Sequence, residues 1–135
     1  MTTQNNYISQ SVPVLVRMFF ERCDPEDCPI YLDGPEFEFR VVGLEHAGFE
    51  AQQVCEDTLL LSAIRDAARR WLWENAIVDF CNRSDYGTTG NFIRLALPQL
   101  PVFAAKSIGD VFDPSDTVAL LAACLMVKDE MEKGK

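Results

Sequence analysis

The best candidates for metal or redox chemistry in this sequence are Cys23 and Cys28, two cysteines separated by four residues. Structural zinc sites combine such a pair with a second pair of cysteines or histidines. His46 is the only histidine, and a predicted hairpin separates it from the two cysteines. Because the second pair of ligands is missing, we predict neither a metal site nor a cofactor.

The residues between the two cysteines have instead the composition of an acidic turn. Asp24-Pro25 and Cys28-Pro29 are dipeptides typical of turns. A disulfide could close so short a loop, but five cysteines without a secretory signal indicate a reducing compartment. We therefore interpret the stretch as an exposed acidic loop, in which Glu26 and Asp27 are candidates for contact with a partner.

Nucleophilic catalysis has one candidate pair, Cys55 and His46. Cys55 lies in a predicted helix and His46 in a glycine-flanked loop, and nothing in the sequence brings the two side chains together. The segment 87–90, Gly-Thr-Thr-Gly, lacks the lysine that follows in a phosphate-binding loop. We predict that the protein is not an enzyme, and an enzyme built on this pair is kept as an alternative.

The charge of the chain is strongly negative and unevenly distributed. The net charge is −9, and residues 1–60 hold 11 acidic residues against three arginines. Nucleic acids and membrane surfaces attract Lys and Arg, so we predict no direct binding to either. A protein partner with a basic or apolar surface is the expectation. The polar N-terminus lacks the features of a signal peptide, which predicts a cytoplasmic location.

The length of 135 residues predicts a single domain over 1–135, with residues 1–10 as a flexible tail. Apolar residues alternate over 12–20, which predicts a strand, and a helix that starts at Pro13 is the alternative.

The next elements form a clear hairpin pattern. Residues 30–32 and 37–41 predict two antiparallel strands with a turn at 33–35. Glu36 and Glu38 alternate with apolar residues there, so they are expected on an acidic, solvated face.

The rest of the chain predicts mainly helix. Residues 49–82 contain neither Gly nor Pro, and we expect one break near Asp57-Thr58, where a new helix can be capped. Further predictions are a mobile loop at 84–91, a strand or short helix at 92–97, a short helix at 101–108, and a final helix that starts at 113–116 and ends near Glu132.

Two tryptophans of the long helical segment cannot share one face. Trp71 and Trp73 point about 200° apart, because successive helical residues turn by about 100°. Trp71 lies on the predicted core stripe, whereas Trp73 fits the core and a partner interface equally well. Arg69 and Arg70 are adjacent, and Trp and Arg are enriched at interfaces.

The predicted fold is α+β and predominantly helical, with a short antiparallel hairpin near the N-terminus packed on a helical core. The segment PEFEFRVVGLEHAGFEAQQ (35–53) resembles phage tail-assembly chaperones, in which a strand precedes a Gly-Leu step and a helix. The resemblance implies binding of tail-tube or tape-measure subunits during assembly, and it assigns no functional residues.

These observations favour a small, acidic, cytosolic, non-enzymatic protein that binds another protein, with an assembly chaperone or adaptor as the leading case. The alternative is an inhibitor from a phage or mobile element that binds a basic host or defence protein and could mimic nucleic acid. Formation of a homo-oligomer is compatible with these observations. The predicted partner-binding residues are Glu26, Asp27, Glu36, Glu38, Arg69, Arg70 and Trp73.

Overall fold

The computed structural model describes residues 7–33, 38–85, 88–98 and 105–133, with the backbone alone described at 81–85 and 88–89. The predicted α+β class is confirmed. The elements follow in the order α1 (Val12–Cys23), β1 (Ile30–Asp33), β2 (Glu38–Val41), α2 (Ala51–Glu56), α3 (Thr58–Asn75), β3 (Ile77–Asp85), β4 (Thr88–Leu97), β5 (Lys106–Asp113) and α4 (Asp116–Lys133).

The first apolar segment is a helix, so the predicted strand over 12–20 is wrong and the helical alternative is right. Pro13 lies in the first turn of α1, where its missing N–H costs no hydrogen bond. Val14, which the strand pattern placed on the buried face, is 43% exposed. The helix buries a stripe at helical spacing, formed by Leu15, Val16, Phe19, Phe20 and Cys23.

Part of the predicted flexible tail belongs to the folded body. Tyr7 is buried, and its hydroxyl donates a hydrogen bond to Asp129 of α4. Arg22 of α1 donates to the same hydroxyl and forms ion pairs with Asp129 and Glu132. This cluster joins the start of the described chain to both terminal helices.

The predicted hairpin of β1 and β2 is confirmed. Ile30 pairs with Val41 and Leu32 with Phe39, and Ile30 and Phe39 are fully buried. Phe39 also exchanges two backbone hydrogen bonds with Phe49, which ties the segment before α2 to the hairpin. The predicted turn at 33–35 lies mostly outside the described residues.

The break in the long helical segment occurs where it was expected. Asp57 ends α2 and caps α3, because its carboxylate accepts hydrogen bonds from the backbone N–H groups of Leu59 and Leu60. The predicted continuation of the helix to residue 82 is wrong. Helix α3 ends at Asn75, Ala76 is extended, and β3 begins at Ile77.

A second sheet occupies the region in which the sequence predicted a loop and a short helix. β3 and β4 pair antiparallel in continuous register, so the predicted loop at 84–91 is wrong in its described part. The strand alternative for 92–97 is right. β5 pairs with the other side of β4 and starts at Lys106, which corrects the helix predicted over 101–108 in its described part. Among the described residues, the N-terminal hairpin is therefore one of two sheets.

Helix α4 is the central element of the fold. Its predicted start is confirmed, with one difference: Ser115 caps the helix through its hydroxyl, while Asp113 accepts from the backbone N–H of Ser115. All eleven residues from Thr117 to Val127 are buried. α4 packs on α1, on α3 and on the face of the β3-β4-β5 sheet that carries Ile93, Leu95 and Val111.

The cap of α3 generates a stability prediction. Asp57→Ala removes the acceptor of two backbone N–H groups, so the free energy of unfolding should fall by about 1 kcal/mol. Asp57→Asn is the matched control and should stay close to wild type, because asparagine caps as well as aspartate. Urea denaturation followed by circular dichroism measures both. An alanine variant as stable as wild type would contradict the assigned cap.

Candidate functional site

The two tryptophans of α3 have different environments. Trp71 is 8% exposed and belongs to the core, as predicted. Trp73 is 64% exposed, and its ring meets Phe80 of β3 edge to face with centroids 5.9 Å apart. Tryptophan side chains are usually largely buried in folded proteins. The exposed indole of Trp73 is therefore the first feature that suggests a contact site.

The acidic loop between α1 and β1 packs against the same helix. Arg70 donates a hydrogen bond of 3.2 Å from Nη1 to the backbone carbonyl of Asp27. Asp24 and Asp27 adopt left-handed backbone conformations, with φ of 44° and 55°, which gives the loop its sharp bends. A shallow depression lies between the loop and the helix, lined by Pro25, Glu26, Ala67, Arg70, Trp71 and Glu74.

These contacts bring Glu26, Asp27 and Arg70 together, and helical spacing places Trp73, a fourth of the seven predicted residues, beside Arg70. Trp73 is three residues from Arg70 on α3, so the two are neighbours on the helix surface. Glu74 joins them from the same turn, although the sequence analysis did not single it out; its spacing of four from Arg70 was the available signal. We call this group the α3 surface. It consists of Glu26, Asp27, Arg70, Trp73 and Glu74.

Arg69 makes its shortest described ion pair at the start of α4, and its partner-binding role stays a prediction. Its guanidinium lies 2.7 Å from the carboxylate of Asp116, the first residue of α4, and 3.4 Å from that of Asp66. Arg65 reaches the same helix start and donates a hydrogen bond to Thr117. Arg69 therefore attaches α3 to the N-terminus of α4.

Glu38 of the hairpin lies apart from the α3 surface. Glu38 lies on the solvated face, as predicted, but at the end of the hairpin away from the acidic loop, opposite Asp33. Arg40 neutralises both carboxylates, at 3.4 Å from Glu38 and 3.2 Å from Asp33. Glu36 lies outside the described residues. The predicted partner-binding roles of Glu36 and Glu38 stay predictions.

The four described thiols all have raised pKa values. Desolvation raises the pKa of Cys23 to about 12 and that of Cys55 to about 11, and it also raises the pKa of Cys28 and Cys124. Activated thiols have a lowered pKa instead. Within the described ranges, no three His, Cys, Asp or Glu side chains form a group that could hold a metal ion.

Comparison of the chain with protein-family models, with curated proteins and with solved structures finds no match. No helix among the described residues has both the length and the apolar character needed to cross a membrane. The contacts and exposure of the α3 surface are therefore the basis for inferring a function.

The contrast between the tryptophans predicts different costs of truncation. Trp71→Ala should lower the free energy of unfolding by about 3–5 kcal/mol, because it leaves a cavity in the core. Trp73→Ala loses only the edge contact with Phe80 and should cost about 1 kcal/mol or less. Chemical denaturation measures both. In the Trp73→Ala protein, the remaining fluorescence should be poorly quenched by acrylamide; strong quenching would contradict the burial of Trp71.

The raised pKa of Cys23 predicts a loss of stability at alkaline pH. The unfolded thiol titrates near 9.0 and the folded thiol near 12, so the unfolded state binds fewer protons between these values. Stability contributed by this group is complete below pH 9 and decreases as pH rises toward 12. The difference in urea midpoint between wild type and Cys23→Ala should therefore shrink over this range. Parallel curves would contradict the burial of the thiol.

Proposed function

We propose that this protein acts in the cytosol by binding another protein, and that the α3 surface is its contact area. The observation that carries the proposal is the exposed indole of Trp73, which lies two residues from a buried tryptophan on the same helix. Tryptophan and arginine are the residue types most enriched among those that dominate binding energy. Here Trp73 and Arg70 are neighbours on one face.

The position of Trp73 favours tight binding because the helix that carries it is held in place. Ile64, Ala68 and Leu72 are fully buried on the opposite side of α3, and Arg69 fixes the helix to α4. A partner therefore does not have to order this helix on binding, so less conformational entropy is lost.

The charges around Trp73 indicate the chemistry of the partner. Glu26 and Glu74 line the depression beside Arg70, which donates a hydrogen bond to the backbone carbonyl of the acidic Asp27. The other nearby arginine, Arg69, is paired with Asp66 and Asp116. An apolar pocket that accepts the indole, with Lys or Arg at its rim, complements this arrangement in shape and sign. The partner should be basic close to the contact.

An assembly chaperone or adaptor is the leading form of this proposal. Such a protein covers an apolar patch of a subunit until the subunit is assembled. Support comes from the exposed indole and from the order of elements in the segment that resembles phage tail-assembly chaperones. There β2 precedes Gly43-Leu44, and α2 follows.

An inhibitor that binds a basic host or defence protein is the second candidate. The observation that favours it is the acidic loop, in which Asp24, Glu26 and Asp27 are all exposed. In this case electrostatic attraction supplies a larger part of the binding, and the association depends strongly on salt.

A photo-crosslinking amino acid at position 73 tests the proposal in the cells that produce the protein. The same group at position 59 is the matched control, because Leu59 is 81% exposed on the same helix. We expect a specific covalent partner from position 73 and little product from position 59. Equal, unspecific products at both positions would contradict the α3 surface.

Calorimetry with the purified partner then measures the contribution of Trp73. Trp73→Ala should weaken binding by about 30-fold or more, whereas Leu59→Ala should leave it unchanged. A chaperone should bind with little dependence on salt, whereas an inhibitor should lose affinity in salt and with Glu26→Lys combined with Asp27→Lys. Unchanged affinity in Trp73→Ala would refute the proposed site.

A further inference from the structure

The two edge strands of the three-stranded sheet differ in how regular their backbones are. In the part of the chain that the structure describes, β3 pairs on one side only, with β4, through nine consecutive residues. The opposite edge strand, β5, is irregular: Ile108 is an extra residue in the ladder, and Gly109 has a φ of +137°. Bulges of this kind prevent an edge from accepting another strand. β3 lacks such a device.

The sequence of β3 is complementary to itself in antiparallel pairing. When the middle residue, Cys81, lies opposite Cys81 of a second copy, all nine residues overlap. In this register Asp79 of each copy lies directly opposite Arg83 of the other. Opposite charges at directly facing positions stabilise a strand pair, and the symmetry of the pairing forms the contact twice.

Neighbouring registers lose this match. The two strands must slide by two residues at a time, since a slip of one would turn the core faces of the two sheets to opposite sides. Sliding in one direction places Asp79 opposite Asp85, which is repulsive. Sliding in the other places Arg83 opposite Ile77. Both also shorten the overlap, so the register with the longest pairing is also the one with matched charges.

We propose that two copies of this chain form a symmetric dimer through antiparallel pairing of their β3 strands. Asp79 is exposed and forms no ion pair with a described residue, so it is available for this contact. The pairing joins two three-stranded sheets into one of six strands and satisfies the outer backbone groups of β3. This goes beyond binding of a different protein at the α3 surface and does not depend on it.

Sedimentation equilibrium of the full chain over a concentration series tests the dimer. Wild type should fit a monomer–dimer equilibrium. Asp79→Arg and Arg83→Asp should each raise the dissociation constant about tenfold or more, because each replaces two attractive pairs by two repulsive ones. An equimolar mixture of the two variants should dimerise as wild type does, since the exchanged charges face each other again.

Asp110→Arg is the matched control. Arg94 of β4 lies between Asp79 of β3 and Asp110 of β5. Changing either aspartate to arginine therefore places two like charges opposite each other within the sheet. The control should keep the wild-type dissociation constant. The proposal is wrong if wild type is monomeric throughout, if the reversals leave the dimer unchanged, if the mixture fails to restore it, or if Asp110→Arg disrupts it equally.

Discussion

The fold depends on one helix that must be covered on all sides. The eleven buried residues of α4 from Thr117 to Val127 include almost no polar side chain, so the helix has no face that water could solvate at low cost. α1, α3 and the three-stranded sheet together provide this cover. Even its two ends are held by other elements. Arg69 of α3 pairs with Asp116 at the start, and Arg22 of α1 pairs with Asp129 toward the end.

This arrangement explains why α3 presents a candidate site. Its inner face must cover α4, which buries Ile64, Trp71 and Leu72. On the opposite side of α3, Trp73 is exposed and meets Phe80 of β3. The same helix therefore packs on the core with one side and exposes an indole on the other. Of the adjacent arginines, Arg69 pairs with Asp116 of α4 and Arg70 donates to the carbonyl of Asp27 in the acidic loop.

The acidic loop illustrates how far residue types predict chemistry. Two cysteines among carboxylates suggested a metal or redox site, and the missing second pair of ligands argued against one. In the structure Cys23 is the last residue of α1 and packs in the core, and its pKa is raised by burial. The carboxylates of Glu26 and Asp27 face solvent instead. The cysteine and the acids thus belong to different environments although they are adjacent in sequence.

The sequence by itself determined the elements whose signals are local. The cap at Asp57, the start of α4 and the β1–β2 hairpin each depend on residues a few positions apart, so their side chains and turns specify them directly. Only the tertiary structure decided the rest. Residues 77–82 have a composition compatible with helix and became a strand because β4 offers a continuous ladder. The apolar residues of 12–20 fit both the two-residue period of a strand and the period of about 3.6 residues of a helix, and packing against α4 selected the helix. The ion pair of Arg69 was not predicted, because its partner, Asp116, lies 47 residues away along the chain. Contacts at such separations leave no mark in the local pattern.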